Sequence, residues 1–155
     1  RNGPFLEGNK VNIKPFMLLC ALLLASCGDK VAETLNKGTR HYDEITLAMG
    51  DRTFHTHCAA CHGYKGEGQP GWQQPGPDGK LLPPPLDGTG RAWRLSSTQI
   101  KQFIRHGSPH GRSNMPAWQG KLSDQEIDAV SIWITSLWPD QTYLDWQTKT
   151  ERVAQ

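Results

Sequence analysis

No hydrophobic run in this chain of 155 residues reaches the roughly 20 apolar residues that a membrane-spanning helix needs. The longest, Phe16 to Ala25, is too short to serve as one in the mature protein. A strong excess of either charge is missing too. Lys and Arg number 17 against 15 Asp and Glu, and nothing in that balance points to a nucleic-acid partner. Apolar residues make up only 36% of the chain, which is thin for a self-sufficient core at this size. Internal repeats are absent, so stacked-repeat architectures are excluded. Cysteine is scarce, with four in all. The readings below assign each of them, and none remains for a structural disulfide.

What is present begins with an address. The chain starts at Arg1 rather than at a methionine. Lys10 and Lys14 precede the apolar run and small residues follow it, which is the order of a secretory signal peptide. The run ends in Leu24-Ala25-Ser26-Cys27, which resembles the bacterial lipoprotein signal. That resemblance implies that Cys27 is lipidated and becomes the mature N-terminus. Gly28, in place of an aspartate, leans towards the outer rather than the inner membrane. Several acyl chains anchor a protein firmly, where one binds only marginally. The expected location is therefore the periplasmic side of a bacterial membrane, or the soluble periplasm if Cys27 is incidental. Residues 1–26 are expected to be removed. They carry Arg1, Lys10 and Lys14 against Glu7, so the mature chain is close to neutral. Residues 27–41 read as the lipidated Cys and a flexible polar tether, and 42–155 as the folded domain with a short C-terminal extension.

Cys58-Ala59-Ala60-Cys61-His62 carries the chemistry. Two thiols three apart with an imidazole directly after them form an attachment site for a c-type haem. The sulfurs can bond to the two vinyl groups of one haem, and the adjacent imidazole can then ligate iron from the proximal side. There is one such motif, so one covalent haem c is expected. A large apolar cofactor would also supply the volume that the thin core lacks. The generic readings of a Cys-x-x-Cys pair are a thiol–disulfide site or a zinc site. His62 and the export signal weigh against both.

Around the motif, a short helix is expected from about Asp51 into Cys58. Residues 63–90 hold eight glycines and six prolines and predict an irregular loop. A loop of that length in a small domain is usually functional, and here it would wrap the haem edge. Ser96 with Gln99 is a capping box, followed by the apolar face of Ile100, Phe103 and Ile104. Gly107 and Pro109 end that helix. Ser123 with Glu126 opens a third helix, with Ile127, Val130, Ile134 and Leu137 at helical spacing. Pro139 stops it. Tyr143, Leu144 and Trp146 are expected to pack back as a short amphipathic turn.

Met115 is the one methionine after the motif and lies in a loop ahead of Pro116. Its thioether suits the distal position of a haem iron, whereas a core-filling role suits a helix better. His106 and His110 are rival distal ligands. Arg91, Trp93 and Arg94 are candidates for pairing with haem carboxylates. Six basic residues and no acidic one lie between Gly88 and Lys121, a possible docking face for an acidic partner.

From about Gly50 to Trp138 the chain resembles a class I mono-haem bacterial cytochrome c. The matching segments are Gly50, Phe54 and Cys58 to Gly63, then Pro84 to Gly90, Ile100 to Gly107, Asn114 to Trp118, and Leu122 to Leu137. The resemblance implies an all-α fold of about three to five helices round one covalent haem, with long Gly/Pro loops. It assigns Cys58 and Cys61 to the thioethers, His62 to the proximal site and Met115 to the distal site. It gives Pro84 as the residue whose carbonyl accepts the His62 N–H, with Pro85 as the alternative in a triple proline. It also implies that Gly50 and Phe54 cross the last helix near Val130 and Trp133. The long loop at 64–83 departs from the pattern. The implied function is electron transfer by a likewise implied monomer, tethered to the membrane, with an oxidase, reductase or dehydrogenase as redox partner. The alternative is a haem subunit of an oxidoreductase, or a peroxidase-like enzyme with a displaceable distal ligand.

Overall fold

The computed structural model describes residues 40–151. The expected signal peptide, Cys27 and the tether up to residue 39 lie outside the described residues. Among those described, five α-helices and no extended strand are found. They are α1 (Glu44–His57), α2 (Ala59–His62), α3 (Ser97–His106), α4 (Asp124–Ser136) and α5 (Asp140–Trp146). Single 3₁₀ turns occur at Ala92–Arg94 and Pro109–Gly111, and a π turn at Gln147–Glu151. No helix among these residues is long and apolar enough to cross a membrane. The all-α architecture expected from the sequence is the one observed.

Both capping boxes form. The Ser96 amide donates to Gln99 Oε1 at 2.9 Å, and the Ser123 amide to Glu126 Oε2 at 2.8 Å. The return bonds, from the Gln99 and Glu126 amides to the serine hydroxyls, are 3.3 Å each. α1 begins seven residues earlier than expected. Asp43 caps it by accepting from the Thr46 amide at 2.8 Å and the Thr46 hydroxyl at 2.7 Å. An Asp-x-x-Thr cap lacks the Glu or Gln that marks a capping box, so its signal is weaker. Pro139 both follows the end of α4 and caps α5, because a residue without an N–H is tolerated at a helix start.

The core is built on α4, where Ile127, Val130 and Ile134 are buried. α1 crosses it, with Phe54 fully buried and its ring 4.3 Å from that of Trp133. The C-terminal segment packs back as expected, as a regular helix rather than a short turn. Trp146 is buried and donates its indole N–H to the Leu95 carbonyl at 2.8 Å. Glu151 accepts from the Ser97 amide at 2.8 Å, tying the turn after α5 to the start of α3. Trp138, also buried, donates to the Leu86 carbonyl at 2.9 Å. Each large indole thus finds a partner for its one polar group, which makes its burial favourable.

The α1/α4 crossing depends on Gly50. A Cβ there would press into the Ala129 carbonyl and come within 2.7 Å of Trp133 Cβ. Neither neighbour is a flexible side-chain end, so the helices would have to separate. Gly50→Ala is therefore expected to destabilise the fold by about 1–3 kcal/mol, as overpacking does. This outweighs the gain of up to about 1 kcal/mol from a better helix former. Chemical denaturation of the two proteins checks this, and a variant as stable as the parent would contradict the close crossing.

Candidate functional site

Cys58 ends α1 and caps α2, so the motif occupies one helical turn. The amides of Cys61 and His62 donate to the Cys58 carbonyl at 3.0 and 2.9 Å. Residues three apart on a helix share a face, which puts both thiols on one side of the turn. Cys58 is half-buried and Cys61 exposed, and no disulfide joins them. Burial pushes the Cys58 thiol up to about 11, with the neighbouring Cys61 adding to it. Among the described residues, no three His, Cys, Asp or Glu side chains converge as a metal site.

The His62 ring is oriented by the proline-rich segment. Its Nδ1 lies 2.9 Å from the Pro84 carbonyl oxygen. A carbonyl can only accept, so Nδ1 carries the proton and Nε2 keeps its lone pair. Burial lowers the pKa of His62 below its ordinary value, against the opposing effect of the Pro84 carbonyl. The imidazole is thus held neutral, the state in which it ligates a metal. Pro84 reaches this position because the loop folds back on the motif. The Gly68 amide donates to the His62 carbonyl at 2.7 Å, Gln69 to the Pro83 carbonyl at 3.0 Å, and Leu86 to the Gly66 carbonyl at 2.6 Å. Pro85 is the buried member of the triple proline, and its carbonyl faces Gly90 rather than His62.

His62 and Met115 line one cavity of about 520 Å³. Its walls include Leu82, Leu86, Leu95, Ile100, Ile104 and Ile134. Met115 is half-buried and held from behind by the end of α3. Gly107 has φ +71°, a conformation that favours glycine. A side chain there would come within 2.7 Å of the Met115 carbonyl oxygen. The Ser108 amide donates to that same carbonyl at 3.1 Å. The rival ligands His106 and His110 are exposed and do not line the cavity.

Arg91 and Arg94 line the cavity, whereas Trp93 and Pro85 do not. Arg91 also lies over the Trp72 ring, 5.4 Å from its centre, and Arg94 over Trp93 at 5.2 Å. The basic run is partly committed elsewhere. Lys101 pairs with Asp128 at 3.2 Å, Arg105 pairs with Asp124 at 2.9 Å, and Lys121 sits over Trp118. Arg112 joins Arg91 and Arg94 along the cavity. His55 proves to be a structural tie, with its ring nitrogens 2.9 Å from the Asp51 carbonyl and 3.0 Å from that of Tyr64. Sequence reasoning missed Trp72, Gln73 and Leu81 as cavity residues. They lie in the irregular loop, where no periodicity announces which side chain turns inward.

This donor set fits a haem. An apolar cavity with one neutral imidazole and one thioether offers soft and borderline ligands to iron. Guanidinium groups along the same cavity suit its carboxylates. The two cysteine sulfurs sit on the turn that leads to the imidazole.

Comparison with known proteins agrees. The family model for cytochrome c oxidase, cbb3-type, subunit III matches residues 46–134, more than half of the chain. Cytochrome c6 of Tetradesmus obliquus is 31% identical over 97 residues, which cover 57% of this chain and 86% of that protein. The chloroplastic cytochrome c6 of Chlamydomonas reinhardtii is 31% identical over 100 residues, covering 64% of this chain and 60% of that one. Cytochrome c6 of Chlorolobion braunii is 29% identical over 100 residues, covering 59% and 90% respectively. No solved structure gives a significant match. With the paired cysteines, the oriented imidazole and the apolar cavity, these likenesses place the chain in the class I mono-haem cytochrome c family, as an electron carrier with covalently attached haem c.

Proposed function

We propose that this cytochrome is held six-coordinate by His62 and Met115, and that it relays electrons on the periplasmic side of a bacterial membrane to which Cys27 tethers it. The observation that carries the ligand pair is a single cavity lined by both side chains, with the His62 proton directed away to Pro84. When bound, the haem supplies an iron that cycles between two oxidation states with little change of geometry. The chain's own residues do the rest. Cys58 and Cys61 retain the cofactor, Pro84 fixes the imidazole and raises its basicity, and the apolar walls keep water from the iron. Arg91 and Arg94 are assigned to the cofactor's carboxylates.

With protein ligands on both sides, no position is left for a substrate, which favours outer-sphere transfer to a redox protein. The partner is of the oxidase, reductase or dehydrogenase kind. The address rests on the sequence order of basic residues, apolar run and Leu24-Ala25-Ser26-Cys27.

Two outcomes are expected. Met115→Ala should still hold one covalent haem per chain, but the oxidised protein should lose the sulfur-to-iron band in the red and bind added imidazole readily. Its potential should fall by on the order of 0.1–0.3 V, within the roughly 0.8 V range that axial ligands command. An unchanged spectrum and potential would remove Met115 from the iron. Separately, Cys27→Ser should abolish fatty-acid labelling and release the cytochrome from membranes on fractionation, and a variant that stays fully membrane-bound would count against the anchor.

A further inference from the structure

The loop that departs from the family pattern makes its firmest side-chain contacts with the segment carrying Met115. Asp78 is the hub. Its Oδ1 accepts from the Lys80 amide at 3.0 Å, and its Oδ2 accepts from the Asn114 side-chain amide at 2.8 Å. Lys80 Nζ donates to Asn114 Oδ1 at 2.7 Å, closing a ring of three residues in which the Lys80–Asp78 link is made by the Lys80 backbone amide. One step along, the Leu81 amide donates to the Arg112 carbonyl at 2.9 Å, and Leu81 forms an isolated parallel bridge with Ser113. The turn itself is closed by the Gly76 amide on the Lys80 carbonyl at 2.7 Å. Asn114, which takes both contacts, directly precedes Met115.

We propose that residues 76–81 form a strap that pins the Asn114–Met115 segment, making Asp78, Lys80 and Asn114 positioning residues for the distal ligand. This rests on the assignment of Met115 to the iron. The Met115 segment is then braced from two sides, by Gly107 and Ser108 at the end of α3 and by the strap. Without the strap, the chain between Pro109 and Asn114 would be attached mainly through its own turn and through the Ser113 amide on Ser108 Oγ at 2.8 Å. Loops of this kind open locally at low cost, and an opening here would take the thioether off the metal. A single surface ion pair contributes little. The strap gains its effect by combining a carboxylate–amide contact at Asp78, an ammonium–amide contact at Lys80 and a backbone bond at Leu81, so that one cannot leave alone. Asn114 and the Lys80 amide also hold the Asp78 carboxyl below its ordinary value, so it remains charged through the neutral range.

The test uses oxidised holoprotein, with added imidazole as the probe and the red sulfur-to-iron band as the second readout. Asp78→Ala and Asn114→Ala should keep one covalent haem and the band at neutral pH. Imidazole should bind them about tenfold faster than the parent, as expected where ligand entry follows local opening. The alkaline loss of the band should move to lower pH. Asp78 and Asn114 are exposed, so loss of fold is not the expected effect of either change. The reciprocal double variant Asp78→Asn/Asn114→Asp restores an acceptor for the Lys80 amide, an amide–carboxylate pair and an acceptor for Lys80 Nζ. It should return both readouts towards the parent values. Variants that match the parent in imidazole rate and band titration would overturn the strap while leaving the ligand assignment standing, as would a double variant no better than Asp78→Ala. A parent protein that lacks the band would overturn the ligand assignment and the strap with it.

Discussion

Two helices can cross at Gly50 only because no side chain stands between α1 and the Ala129 carbonyl. That contact fixes α1 against α4, and Cys58 caps the end of α1. The thiol pair and His62 follow within one turn, so the chemistry of the motif is positioned by a packing constraint eight residues upstream. Phe54 and Trp133 complete the crossing with rings 4.3 Å apart, a contact of about 0.5–1.5 kcal/mol beyond simple burial. The remaining helices are organised round the same element. α3 and α5 are tied to each other through Trp146 and Glu151, and Trp138 at the end of α4 holds Leu86 beside the proline-rich segment.

The site is thus half helix and half loop, and the two halves are secured differently. The thiols and imidazole are fixed by the fold's core. Pro84 and Met115 come from loops, which pay for their freedom unless something holds them. Pro84 is held by a run of backbone bonds between residues 66–69 and the segments around it. Met115 is held by Gly107 and Ser108 behind and by the contacts of Asp78 and Lys80 with Asn114 in front.

Much of this was legible in the residues. The pentapeptide announces its cofactor by spacing alone, and Ser96/Gln99 and Ser123/Glu126 announce two helix starts. The start of α1 was not legible, because Asp43 caps without a Glu or Gln three residues on. Nor was the partner of Trp146, whose packing was expected but whose indole reaches a Leu95 carbonyl 51 residues away. The sequence resemblance put Pro84 ahead of Pro85, and the His62 ring contacts the Pro84 carbonyl, while that of Pro85 faces Gly90. The strap lay beyond any local signal, since Asp78 and Asn114 are 36 residues apart and joined only by side-chain geometry. Irregular loops carry no period, so their inward-facing residues, such as Trp72 and Leu81, emerge only in three dimensions.

The central claim is that Met115 and His62 grip one iron. The chain has three methionines, Met17, Met49 and Met115. A carbon–proton NMR spectrum of the reduced, diamagnetic holoprotein with methyl-labelled methionine tests the claim directly. A thioether methyl lying over the porphyrin face is displaced far upfield by the ring current. The account predicts one such displaced resonance, lost in Met115→Ala, with Met49 at its ordinary position. A spectrum with every methionine methyl in the ordinary range would contradict it.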